Sequence, residues 1–179
     1  MSRELLMQQL AAHTPLTEEE AGMRLRLVEF VGAYENCFER SLLIGHVTGS
    51  AWIVDLDRTH VLLTHHRKLD KWLQLGGHAD GDPDVLRVAM REASEESGLR
   101  SLRPVRNTIF DVDIHLIPAR KTEPEHFHYD VRYALEADRA EPIAVSDESH
   151  DLRWVPVEEV RVLTDEESVL RMLRKMTLL

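Results

Sequence analysis

Gly76-Gly77-His78-Ala79-Asp80-Gly81-Asp82-Pro83, followed by Asp84 to Met90 and then Arg91-Glu92-Ala93-Ser94-Glu95-Glu96-Ser97-Gly98-Leu99, is the stretch on which the rest of the chain turns. It reads as a loop feeding a short helix. Asp82 is placed to accept the first free backbone N–H groups, Pro83 suits the first helical position, and Gly98 can take the left-handed conformation just past the end. At 100° per residue Glu92, Glu95 and Glu96 fall within an arc of roughly 100° on one face. Leu86, Ala89, Met90 and Ala93 form the adjacent apolar stripe. One face packs, and the other carries three carboxylates.

Like charges three and four residues apart destabilise a helix by about 0.2–0.5 kcal/mol per pair, so three together call for compensation. A divalent cation supplies it: Mg²⁺ takes oxygen ligands, keeps several waters and shares its remaining positions with substrate phosphates. Arg91, four residues before Glu95, pairs with it at helical spacing and orients its carboxylate. A solvated acidic face is the competing explanation, and charge alone favours it.

The order of the residues favours the metal. The stretch resembles the Nudix box, in which Gly is followed after five residues by Glu, and after seven more by Arg-Glu, an aliphatic residue, any residue, Glu-Glu, any residue, Gly and an aliphatic residue. Gly77, Arg91, Glu92, Glu95, Glu96, Gly98 and Leu99 stand in register, with Ala93 at the first aliphatic place. Pro83 stands where the family has Glu, with Asp82 and Asp84 on either side. Seven fixed positions in register across the box make a far more specific signal than a lone glycine motif.

The rest of the composition suits one globular domain with an appendage. With 179 residues, 43% hydrophobic and 30% charged, the chain can bury a sizeable core and does not resemble a membrane protein. It has neither the apolar run of a signal peptide nor eighteen consecutive apolar residues, so a cytoplasmic location is expected. The net charge of −10 argues against broad binding to nucleic acid or anionic membrane, but leaves room for a small phosphorylated ligand met locally by metal and a few basic side chains. The single cysteine, Cys37, reads as a small buried hydrophobe.

Residues 1–45 read as an N-terminal helical extension and 46–179 as the catalytic domain with its C-terminal helix. Ser2 to Ala12 is a first helix. Thr17-Glu18-Glu19-Glu20 is a capping box opening a second, which runs toward Phe38 with Met23, Leu27, Phe30, Val31, Tyr34 and Phe38 as its apolar stripe. That stripe covers either the domain's own sheet or a second subunit, and a homodimer is the expectation. Strands follow at Ser50–Val54 and His60–His65, then Trp72-Leu73-Gln74-Leu75 ahead of the glycines, Val105–Ile117, and His126–Ala137. Trp154 to Val160 passes from strand to helix, and Glu166 to Met176 is a terminal amphipathic helix.

The resemblance spans roughly 46–163 and implies a Nudix-type α/β/α sandwich with a mixed β-sheet. It also implies a metal-dependent hydrolase, using Mg²⁺ or Mn²⁺, that cleaves a phosphoanhydride bond in a nucleoside diphosphate linked to another group. Glu92, Glu95 and Glu96 would hold the metal, with the Gly76 carbonyl as a further ligand, and Arg91 would orient the carboxylates. The general base is either Glu95 or a downstream carboxylate, among Glu123, Glu125, Asp147 and Glu148, of which Glu148 is preferred because its segment can return to the site. The aspartates Asp80, Asp82 and Asp84 are the candidates to replace the glutamate missing at Pro83.

Ten histidines are the unabsorbed feature. His126, His128 and Asp130 share one strand face, which is either a solvent-facing surface or the lining of a pocket that contacts phosphate or a softer metal. His78, directly after the glycines, is expected to contact ligand, and Arg132, with Arg67 and Lys68, to meet substrate charge. Two other functions compete with hydrolysis: a non-hydrolytic nucleotide-binding or regulatory module, suggested by Pro83, and an enzyme like isopentenyl-diphosphate isomerase, suggested by the histidines.

Overall fold

The computed structural model describes residues 3–119 and 124–179. In chain order it has α1 (Glu4–Ala12), α2 (Glu18–Ala33), β1 (Gly45–Asp55), β2 (His60–His66), β3 (Lys71–Leu73), β4 (Leu75–His78) and α3 (Val85–Ser97). There follow β5 (Arg103–Pro104), β6 (Asp111–Ile117), β7 (His126–Ala137), β8 (Ser149–Pro156), α4 (Val160–Leu163) and α5 (Glu167–Lys175). Short 3₁₀ turns precede α4 and follow α5.

Among the described residues eight strands make one sheet along the path β3-β2-β1-β7-β5, with β4 also pairing β1, β6 pairing β7 and β8 pairing β2. β1 and β7 run parallel from Gly45↔Phe127 to Asp55↔Ala137. The remaining pairings are antiparallel, so the sheet is mixed, as expected. The box helix lies in the crossover between the two parallel strands.

Alternation gives this sheet two unlike faces. Val47, Ala51 and Ile53 of β1, Val131, Tyr133 and Leu135 of β7 and Val112 of β6 point to one side, where they join residues of α1, α2 and α3 in the larger core. The other side is polar over half its length. The register sets His46, His128 and His115 in one row, His78, Thr48, Asp130 and Asp113 in the next, and Ser50, Arg132 and Asp111 in a third. Beyond that, Trp52 and Val54 start a second, smaller core with Val61, Leu63, Val155, Val169 and Met172, which brings α5 onto this face.

The N-terminal helices belong to the main core. Leu6, Leu10, Met23, Leu27, Phe30 and Val31 are buried in the same cluster as the sheet. The apolar stripe of α2, Tyr34 apart, is therefore covered by the domain's own core, the first of the two expected partners. Thr17 caps α2, accepting from the Glu20 N–H at 3.1 Å. The Glu20 carboxylate, however, accepts from the Leu16 N–H at 2.7 Å rather than closing back on Thr17. α2 also stops at Ala33, because Tyr34 turns extended and tight turns then carry Cys37 and Phe38 into the core. Burial pushes the Cys37 thiol up to about 11, consistent with a packing role.

Between β5 and β6 the expected continuous strand is broken. Only Arg103–Pro104 and Asp111–Ile117 pair regularly, although Val105 and Phe110 still donate their N–H groups to the Ala134 and Arg132 carbonyls of β7. No helix among the described residues is long and apolar enough to cross a membrane.

Candidate active site

The helix carrying the glutamates begins two residues later than its sequence suggests. Asp84, not Asp82, is the N-cap, accepting from the Arg87 N–H at 3.2 Å. Asp82 instead accepts from the Asp84 N–H at 3.0 Å in an Asx turn that swings Asp84 into the cap, and it pairs with the Arg87 guanidinium at 2.7 Å. Pro83 therefore sits in the turn. At the far end Gly98 has φ 75° and donates its N–H to the Ser94 carbonyl at 2.8 Å, the left-handed cap expected.

α3 rests on the apolar side of the sheet through Val85, Val88, Ala89 and Ala93. Gly77 of β4 lies against the Glu92 carboxyl so closely that a Cβ there would collide with it, so this helix face packs directly on bare backbone. The Gly76 N–H approaches Glu96 Oε2 at 3.4 Å. Arg91 joins the pieces. Its guanidinium lies 2.7 Å from Glu92 and 3.5 Å from Glu95 and donates to the His78 carbonyl at 3.0 Å, tying helix to strand.

The three glutamates differ in their surroundings. The Glu95 side chain is 62% exposed, whereas Glu92 and Glu96 are half-buried. Burial raises the pKa of Glu92, a shift that Arg91 opposes and Glu95 reinforces. Burial pushes Glu96 up to about 8, with the negative charge of Glu92 adding to the effect and Glu148 contributing from across the site. The structure thus brings Glu148 within electrostatic reach of the box carboxylates. Glu125 is exposed, and Glu123 lies outside the described residues.

None of the three aspartates around Pro83 is a free replacement for the missing glutamate. Asp80 is held bidentate by Arg40, with one contact at 2.6 Å; Asp82 is held by Arg87; and Asp84 caps the helix. Asp80 acts on the site only through its charge, which helps to raise Glu92.

Arg132 is a correction. It was expected to meet substrate charge, but it is 1% exposed and paired with Asp130 at 2.7 Å and with Asp111 and Asp113, both at 3.2 Å. Arg171 of α5 completes the arrangement, reaching Asp111 at 2.8 Å and Asp113 at 3.0 Å, with Lys175 2.8 Å from Asp111. A guanidinium so buried among carboxylates is not placed to meet the charge of a substrate.

His78 stands on β4 next to Gly77, so its ring points to the opposite side of the strand from Glu92. There it lies 5.0 Å, centroid to centroid, from the rings of both His46 and His128. His126 is 5.0 Å from His46, and His115 is 5.3 Å from His128. The strand face expected to present His126, His128 and Asp130 is real, but Asp130 points into the ion-pair network, accepting from Thr48 and Ser50 as well. Burial pushes His46 and His78 each down to about 4, so both rings are neutral near pH 7. His46 went unnoticed in the sequence reading. The alternation of His46, Thr48 and Ser50 was the available signal.

A family sequence profile described as the NUDIX domain matches residues 45–176. The chain belongs to the Nudix family. As a Nudix hydrolase it acts on pyrophosphate bonds. Similar solved structures include an Ap4A hydrolase binary complex from C. elegans, 18% identical with a TM-score of 0.59, the match covering 74% of this chain and 95% of that one. A NUDIX-family hydrolase from Clostridium perfringens is 26% identical with a TM-score of 0.55, covering 74% and 97%. The E. coli dihydroneopterin triphosphate pyrophosphohydrolase is 17% identical with a TM-score of 0.52, covering 74% and 96%. No curated protein sequence matches. Helices α1 and α2 lie ahead of the segment that the Nudix profile covers.

Proposed function

We propose that this Nudix hydrolase cleaves the phosphoanhydride of a nucleoside diphosphate joined to a second group, with Mg²⁺ or Mn²⁺ held by Glu92, Glu95, Glu96 and the Gly76 carbonyl. The observation that carries the proposal is the pair of half-buried glutamates on α3, Glu92 and Glu96, both raised in pKa by burial and by neighbouring carboxylates, with Arg91 paired to Glu92. A donor set of oxygens that repel one another in a partly dry setting fits a hard divalent cation. When bound, the cation would neutralise pyrophosphate oxygens and activate the attacking water.

The chain's own residues do the rest. Arg91 holds the Glu92 and Glu95 carboxylates in fixed orientations and, through the His78 carbonyl, fixes α3 to the strand that precedes it. Proton removal from water falls to Glu95, the exposed and solvent-reaching member, or to Glu148, whose charge already reaches Glu96. The substrate is a nucleotide-like small molecule, in line with the Ap4A that the name of one similar solved structure prints.

The test is hydrolysis of a panel of nucleoside diphosphate sugars, dinucleoside polyphosphates, ADP-ribose and nucleoside triphosphates, with and without Mg²⁺. Metal-dependent cleavage of at least one compound, lowered about 100-fold or more by Glu96→Gln, is expected. A second reading, a binding module without turnover, is favoured by one observation: Asp80, Asp82 and Asp84 are all engaged elsewhere, so none of them replaces the glutamate absent at Pro83. Micromolar binding with no cleavage of any compound would decide for that reading.

A further inference from the structure

On the far side of β4 from the glutamates, three imidazoles converge from three strands. His46 comes from β1, His78 from β4 and His128 from β7, and they offer nitrogen atoms that all lie within 4.8 Å of one another. Neither ring nitrogen of His46 has a hydrogen-bond partner, and both are buried; the Leu42 carbonyl is close enough to favour the charged ring but is not in bonding geometry. The Nε2 of His128 is likewise buried and unpartnered. Leaving a buried polar atom unpaired costs roughly 1–3 kcal/mol, so the orphaned nitrogens of His46 and His128 need a reason.

Protein hydrogen bonds do not supply it. The neighbouring rings are already oriented: His126 Nδ1 bonds the Pro124 carbonyl at 2.9 Å, and His115 Nδ1 lies 3.4 Å from Asp113. A cavity of about 50 Å³ opens beside the cluster, lined by Arg40, His46, His78 and His126 among others. Its size suits an ion with one small further ligand.

We propose that His46, His78 and His128 form a binding site for a borderline divalent transition-metal ion of the Zn²⁺ type, separate from the oxygen-donor site on α3. Neutral imidazoles suit Zn²⁺, Co²⁺ and Ni²⁺, whereas Mg²⁺ requires oxygen ligands and gives up its waters reluctantly. Three histidines with a fourth position left open is a known zinc arrangement. Zn–N bonds of about 2.0–2.1 Å would set the nitrogens about 3.3 Å apart, within the 4.8 Å that bounds their separations here, and small χ1 and χ2 rotations of rings on adjacent strands adjust the spacing. The cavity beside His46 and His78 leaves room for a fourth, small ligand. This site stands whether or not the glutamate site is hydrolytic.

Co²⁺ titration of chelator-stripped protein tests the site. One ion per chain should bind with the intense visible bands of tetrahedral Co²⁺, and a large excess of Mg²⁺ should leave them in place. His46→Leu and His128→Gln should each weaken binding tenfold or more, while Glu95→Gln and Glu96→Gln leave the spectrum unchanged. Bands that survive in both histidine variants, that Mg²⁺ abolishes, or that never appear would overturn the proposal. Should either histidine variant fail to fold, ring ¹⁵N shifts in the wild-type chain decide. Zn²⁺ should move the resonances of His46, His78 and His128, and unmoved resonances would refute the site.

Discussion

The polar face of the sheet has two ends built from the same alternation but finished differently. At one end Asp111, Asp113, Asp130, Arg132, Arg171 and Lys175 satisfy one another, with Glu20 of α2 paired to Lys175 as well. At the other, His46 and His128 bury ring nitrogens that meet nothing. Pairing of every charge marks a part of the molecule that holds itself together. Unmet donors and acceptors mark a part arranged for something that arrives from outside.

The strongest way to break that contrast is to remove one charge from the closed end. Arg171→Met should cost about 3–5 kcal/mol in denaturant unfolding, because Asp111 and Asp113 would be left buried beside too little positive charge. A loss below 1 kcal/mol would mean that the network contributes little.

Acid should act on the same end. Although burial opposes it, hydrogen bonds from His13 and Lys175 hold Glu20 at about 2, below its ordinary value of 4.5. Because the folded-state value is depressed, the stabilisation is complete above about pH 4.5 and drains away as the pH falls toward 2. It amounts to about 3 kcal/mol by linkage. Glu20→Gln should flatten the stability–pH curve in that window, and an unaltered slope would refute the assignment.

Arg91 stands between the two kinds of region, paired yet facing the site. Arg91→Ala should lower hydrolysis or metal affinity about 10- to 100-fold while changing unfolding free energy far less. The smallest effect belongs to the open end. Without metal, His46→Leu should shift stability by less than about 1 kcal/mol, since no hydrogen bond is lost and two orphaned polar atoms are removed.

What was legible in the sequence follows from range. The box helix, β7 and the terminal helix were readable because their periods are local, and the family match over residues 45–176 rests on the same local register. Misplacements came from competition at short range: Asp82 was the better N-cap on paper, but its own Asx turn passed that role to Asp84. Arg132 looked like an exposed base on a strand. Its burial depends on α5, far along the chain, and on a cross-strand register that no single strand reveals. The same blindness hid His46, which meets His128 only through the parallel pairing of β1 with β7.

The pairing of Glu20 with Lys175 joins residues 155 positions apart. Until α5 has cleared the ribosome, Glu20 and Asp111 have no lysine, and Asp111 and Asp113 lack the Arg171 guanidinium. During synthesis the nascent sheet therefore carries uncompensated acids on the face it must bury. Folding of this domain should be withheld until α5 has been made, and loss of α5 should leave a product that chaperones and proteases treat as unfinished.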